Sequence, residues 1–268
     1  MNRKFIFTSL LIAALAFIFS IISAQAQNQP PKNYIKETQL YEYITVRVHP
    51  KKWHLIHVGH NYRVPYKYVP PALDTLKDSK FVMDSRVAPH YNKMYDAALA
   101  DGVVLIPISC YRSVKQQESS FNSRVQSSME REGMTIEEAV RRQSLSLAYP
   151  GASEHNLGLC LDIGAEGLRG TSVLFADTEQ FAWLDAHAAD YGFILRFPNN
   201  KTDITGYVYE PWHWRYVGVE LARELKEKGI TLDEYYGRRF LGREEAKELK
   251  EKGVSIKKYL RKQGKKRR

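Results

Sequence analysis

Cysteine is scarce in this chain: its 268 residues hold two, Cys110 and Cys160. That allows one disulfide at most and excludes a fold stapled by many. No cysteine follows the apolar run near the N-terminus, so a lipoprotein anchor is not indicated. Beyond that run no segment is apolar enough to span a membrane. Acidic residues are the minority, 30 Asp and Glu against 40 Lys and Arg. With 44% hydrophobic residues the composition is that of a globular protein, and no long stretch reads as disordered on composition alone.

What is present begins with a basic head, Met1-Asn2-Arg3-Lys4, then a nearly continuous apolar run from Phe5 to Ile22. Ser23-Ala24-Gln25-Ala26 follows with small residues in an Ala-x-Ala pattern. This predicts a secretory signal peptide over 1–26, cleaved after Ala26, with an uncleaved anchor as the alternative. The chain is then exported, to a periplasm or cell envelope. Removing 1–26 takes two basic residues and no acid, so the mature chain stays basic. That charge suits an anionic neighbourhood such as a wall polymer or membrane surface, and export argues against nucleic acid.

Residues 27–37 read as a linker around Pro30-Pro31, and 38–74 as strand or extended structure. His54, His57 and His60 recur every third residue, the wrong spacing for one strand face, and have no acidic partner nearby in sequence. They read as surface or packing histidines. Helices are predicted over 90–101, from the Ser113 cap to about 127, from the Thr135-x-x-Glu138 capping box to about 148, over 178–191 and over 219–228. Strands are predicted over 103–106, 157–163, 193–197 and 207–216. The segment 224–236 recurs as 248–260, each copy a helix end, a glycine cap and a short second helix. Residues 261–268 lack apolar content and should be disordered.

Chemistry-bearing residues concentrate in three segments: Ser109 to Ser113 with Gln117, Ser153 to Asp162, and Glu210 to Tyr216. A catalytic zinc needs three protein ligands and an open position. His155, Asp162 and His213 can supply two imidazoles and a carboxylate, and Glu210 can reach water if 210–213 is extended or turned. On spacing alone, a capped turn and a core histidine beside a tryptophan fit equally well.

The motifs Ser153-Glu154-His155-x-x-Gly158-Leu159-x-x-Asp162, Glu210-Pro211-Trp212-His213-Trp214-Arg215-Tyr216 and Ser109-x-Tyr111-Arg112-Ser113 closely resemble zinc D-alanyl-D-alanine carboxypeptidases of the VanY type. The resemblance runs in order over roughly 83–236. It implies an α+β fold in which a small, largely antiparallel sheet packs with helices, a Hedgehog/D-Ala-D-Ala peptidase-like architecture. It implies Zn2+ on His155, Asp162 and His213, and Glu210 as catalytic base. Arg112 acts with it, Gln117 and Ser153 hold substrate, and Tyr111 and Trp212 shape the pocket. The substrate implied is the peptidoglycan stem peptide, trimmed of its terminal D-alanine. L,D-carboxypeptidases, dipeptidases and endopeptidases share the constellation, and a wall-binding module with a structural zinc is a different-class alternative. The resulting division is 1–26 signal peptide, 27–80 extension, 81–236 catalytic domain and 237–268 basic helical tail, the last able to adhere to wall or membrane anions.

Both cysteines depart from the pattern, which leads one to expect Gly at 110 and Ala at 160. Each lies two residues before a site residue, the offset of one strand face. A disulfide, two buried free thiols and thiolate ligation are the alternatives; the last is disfavoured because it would occupy the open position.

Overall fold

The structure, a computed structural model, describes Tyr34 and residues 40–168 and 170–263. The signal-peptide reading, most of the 27–37 linker and residues 264–268 lie outside the described residues. Among the described residues no helix is long and apolar enough to cross a membrane.

The N-terminal extension supplies β1 (Ile44–Thr45) parallel to β2 (Tyr62–Arg63), and β3 (Leu73–Thr75), which pairs antiparallel with β4 (Val82–Asp84) just beyond it. Its apolar residues Ile56, Val58, Val64 and Leu76 enter the same core as Leu161 and Ile163. Helix α1 (Ala88–Ala100) buries Tyr91, Met94 and Ala98 in that core. The strand expected at 103–106 instead starts three residues later, as β5 (Ile106–Ser109). Gly102 at φ 82° turns the chain back, and the Val103 amide bonds to Ala98 O, so Val103 belongs to the helix end.

Helix α2 (Val114–Glu132) opens on a capping box at Ser113 and runs five residues beyond its predicted end, to a left-handed Gly133. Helix α3 (Ile136–Ser144) opens on the Thr135 box and stops short of Ala148. The predicted strand 157–163 divides into a 3-10 turn, Glu154–Leu157, and β6 (Cys160–Gly164). Helix α4 (Glu179–His187) passes into a 3-10 turn ending at Gly192, then β7 (Phe193–Leu195). A short α5 (Thr202–Thr205) precedes β8 (His213–Tyr216), and residues 207–212 lie outside any strand.

The main sheet has the order β5-β6-β8-β7, antiparallel at every pair. β5 is an edge strand, which accommodates Pro107 with its missing N–H, and its register on β6 shifts between Pro107 and Ser109. On the central strands Leu161, Ile163, Trp214 and Tyr216 face the core, so Cys160, Asp162, His213 and Arg215 share the other face. This small antiparallel sheet among helices is the predicted α+β class.

Helix α6 (Val219–Lys228) with α7 (Leu232–Tyr235), and α8 (Arg243–Glu251) with α9 (Ile256–Lys262), are the two copies of the repeat. Gly229 and Gly253 are left-handed between their helices. The second pair is no loose tail: Leu241, Ile256 and Leu260 are buried together with Tyr62 of β2, whose hydroxyl donates to Leu260 O at 3.2 Å. Arg261 and Lys262, expected to be disordered, are helical because Leu260 anchors their turn.

Candidate functional site

Two pieces of local geometry create the site. Ser153 caps the 3-10 turn, its Oγ accepting from the His155 amide at 3.3 Å. The turn closes on Gly158, at φ 65°, and presents His155 to the sheet face. On β8 the His213 amide bonds to Glu210 O at 3.1 Å, a tight turn that brings Glu210 Oε2 to 3.8 Å from His213 Nδ1. Register does the rest, since Asp162 on β6 stands opposite His213 on β8.

The four residues converge and are buried. Asp162 Oδ2 lies 3.3 Å from His155 Nε2, and its Oδ1 lies 3.1 Å from His213 Nδ1. Each imidazole has its other nitrogen committed. His155 Nδ1 donates to Cys110 O at 2.6 Å, and His213 Nε2 donates to Glu154 Oε2 at 3.3 Å. That fixes both tautomers and leaves His155 Nε2, His213 Nδ1 and the Asp162 carboxylate aimed at one point. Outer partners of this kind are what metal-binding histidines require. The donor set fits zinc on its own chemistry: three N/O ligands, with a glutamate close by and outside the set.

Glu154, to which the sequence analysis assigns no role, supports the site from behind. Its Oε1 accepts from Arg196 Nε at 2.7 Å and Arg215 Nη1 at 2.8 Å. Arg196 also donates to Asp233 at 2.6 Å, and Asp233 accepts from His57 Nε2 at 2.7 Å. A buried chain of charge thus runs from the extension to the site. His57 and His60 are indeed packing histidines, but His57 has the acidic partner that its sequence neighbourhood lacks.

The carboxylates differ in electrostatics. Burial opposes the charge of Glu154, yet Arg215, Arg196 and His213 hold it well below the usual carboxylate range. Burial likewise opposes Asp162, and His155 and His213 hold it low. Glu210 has no such company. Burial pushes its carboxyl up to about 8, with Asp162 adding to the shift and His213 pulling it back. Two carboxyls with separated proton affinities are what an anionic ligand and a proton carrier need.

A cleft of about 400 Å³ opens over this face, lined by Arg112, Gln117, Ser153 and Trp212 beside the four residues above. Arg112 is tied to the histidine turn, its amide donating to His155 O and its carbonyl accepting from Asn156 Nδ2. Among the described residues its Nε has no partner. Gln117 Nε2 donates to Ala148 O at 2.6 Å, and among the described residues its buried Oε1 has no partner. That oxygen is an acceptor, suited to a substrate N–H. Trp212 is half-buried between the cleft and the core. Tyr111, expected in the pocket, does not line it. Its amide is bonded to Val82 O, which directs the residue toward β4. Arg124, Phe197 and Tyr207 line the cleft without having been singled out; they sit outside the motifs and only folding brings them there.

Both cysteines are free and buried. The one-face argument holds for Cys160, which lies on β6 with Asp162. It does not apply to Cys110, because β5 ends at Ser109: the thiol joins the hydrophobic core, within electrostatic reach of Cys160 and Asp162, and the carbonyl accepts from His155.

Residues 80–219 match the family model described as VanY, D-alanyl-D-alanine carboxypeptidase. The chain is 37% identical over 185 residues to the D-alanyl-D-alanine carboxypeptidase of Enterococcus faecalis, covering 69% of this chain and 66% of that relative. It therefore spans just under two thirds of that relative's length. Among solved structures it is similar to a mutant of the vancomycin-resistance D,D-pentapeptidase VanY in complex with Zn(II). That match has 38% identity and a TM-score of 0.60 and covers 68% of this chain and 98% of the other. It is also similar to the LD-carboxypeptidase LdcB, at 31% identity and a TM-score of 0.64, over 75% of this chain and 94% of the other.

Proposed function

The chain belongs to the VanY family of D-alanyl-D-alanine carboxypeptidases, and from that membership we propose that it is a zinc-dependent carboxypeptidase removing the terminal D-alanine of peptidoglycan stem peptides. The observation that carries this reading is the convergence of His155, Asp162 and His213 with an unligated Glu210 in a cleft that also holds Arg112. A purely structural metal has no use for Glu210.

His155 Nε2, Asp162 and His213 Nδ1 would hold the zinc. When bound it supplies Lewis-acid polarisation of the scissile carbonyl and acidifies water. Arg112 pairs the C-terminal carboxylate through its planar guanidinium, and Gln117 Oε1 accepts an N–H of the peptide. Glu210 takes the proton of the attacking water on its carboxylate and delivers it to the leaving amine. Trp212 walls the cleft.

The LdcB likeness, which extends over more of this chain than the VanY structure does, favours a second reading: cleavage of an L,D bond. Incubating the zinc-loaded protein with pentapeptide and tetrapeptide muropeptides, with mass spectrometry of the products, separates the two. D-Alanine released from the pentapeptide supports the first reading. Release from the tetrapeptide alone moves the specificity to L,D, and release from neither overturns both. Export to the cell envelope, and adhesion of the basic C-terminal helices to wall or membrane anions, belong to the same proposal.

A further inference from the structure

Cys160 occupies the sheet face that carries the site. It is fully buried and shares that face with Asp162, opposite the core-facing Leu161 and Ile163. A buried cysteine ordinarily fills apolar space. This one enters none of the hydrophobic clusters formed by the described residues. Its Sγ and one ring nitrogen each of His155 and His213 lie within 4.8 Å of one another. A thiolate and an imidazole on one zinc ion stand at most about 4.4 Å apart, the sum of bonds of roughly 2.3 and 2.1 Å. A small side-chain rotation therefore brings the sulfur into the same coordination sphere as the two histidines.

We propose that Cys160 is a protein ligand of the metal, so that the centre is built from His155, Cys160, Asp162 and His213. The inference rests on the zinc reading above and deepens it. Ligation converts the thiol to a thiolate, its proton passing to solvent. Two neutral imidazoles, one carboxylate and one thiolate then match the charge of a divalent ion, which matters in a buried site. The nearby Glu154 carboxylate is already balanced by Arg196 and Arg215. A sulfur donor also shifts metal preference toward zinc, cadmium and cobalt and away from magnesium, calcium and manganese. The added donor competes with water for the position that catalysis needs, so Cys160 restrains the resting site.

Cobalt(II) reconstitution of the full chain tests this without reference to activity. Thiolate ligation produces an intense near-ultraviolet sulfur-to-cobalt absorption that nitrogen and oxygen donors lack. The wild type should bind one cobalt per chain with this band, and Cys110→Ala should keep it. Cys160→Ala should bind one cobalt without the band, and its metal dissociation constant in chelator competition should rise about tenfold or more. Cys160→Ser, checked for fold by circular dichroism, should behave like Cys160→Ala and serves if the alanine variant does not fold. Cobalt bound by the wild type without the band, or a band that survives loss of Cys160, overturns the ligand assignment and leaves the three-ligand site standing. A wild type that binds neither cobalt nor zinc overturns the metal reading as well.

Discussion

Glu154 and Glu210 are both buried beside His213, and their neighbours give them opposite tasks. Among the described residues Glu210 has no arginine partner, and it stays out of the ligand set. We expect Glu210→Gln to keep near-normal zinc content and to lose roughly 10²–10⁴-fold in turnover, as removal of a general base does. Metal analysis and kinetics on one preparation check this, and retention of most wild-type turnover would sink the mechanism. Glu154 acts through His213. Glu154→Gln should weaken zinc binding by about 10–100-fold, because it loosens the ring that presents Nδ1. It should also cost about 3–5 kcal/mol, because Arg196 and Arg215 lose a shared buried counter-charge. Unchanged zinc affinity in chelator competition would leave Glu154 a purely structural residue. For Arg112 the planar fork matters more than the charge, so Arg112→Lys should raise KM for substrates with a free C-terminal carboxylate. Identical kinetics would remove Arg112 from the cleft's chemistry.

The secondary-structure elements place these residues through their ends. Gly158 terminates the turn that bears His155, at φ 65°, and a Cβ there would meet the Asp84 amide nitrogen at 2.8 Å. That amide donates to Gly158 O, so β4 is held against the turn and has no room to retreat. Gly158→Ala should therefore destabilise by about 1–3 kcal/mol and displace His155, lowering zinc affinity as well as melting temperature. A variant with wild-type values of both would show the turn to be more pliable than its contacts imply. The helix starts were legible for the same local reason: Ser113 and Thr135 each exchange reciprocal hydrogen bonds with a residue three positions on. The strands were less legible. The Ile106 strand begins late and shifts register at Pro107, because the helix end before it and the edge position are set by neighbours remote in sequence.

Across the whole molecule the extension and the C-terminal helices hold each other. Tyr62 sits under Ile256 and Leu260, and His60 stacks on Tyr207 with ring centroids 4.3 Å apart. His60 Nε2 donates to Gly206 O at 3.0 Å, while burial pushes its proton affinity down to about 3. The unfolded chain, with an ordinary histidine near 6.5, then binds more protons than the folded one between about pH 3 and 6.5. Stability from the neutral ring is complete above pH 6.5 and falls as the pH drops, by up to about 1.4 kcal/mol per unit. Urea unfolding at pH 7 and pH 5 should show this loss in the wild type and a flatter response in His60→Gln. Equal slopes would mean that His60 protonates without opening the fold. Leu260→Ala should cost about 2–5 kcal/mol, since it empties the contact between the last helix and β2.

The motif segments were readable because each holds its chemistry at short range. His155 and Asp162 come from one turn and strand, and Glu210 and His213 from one turn, so residue types and spacing allow a metal and a base, and the resemblance of these segments to a known family favours that reading over a capped turn with a core histidine. Helix caps and apolar periodicity marked helices mixed with strands, and the family resemblance implied the α+β class. What tertiary structure alone decided is how these pieces face each other. Register sets Asp162 against His213, and it sends Cys160 toward the site while the end of β5 lets Cys110 turn into the core. The repeat shows the same limit. Asp233 in the first copy closes the buried chain between Arg196 and His57, whereas its counterpart in the second copy is Lys257, exposed on α9. Two near-identical segments take different roles because a side chain's charge acquires meaning only from the distant groups that folding buries beside it.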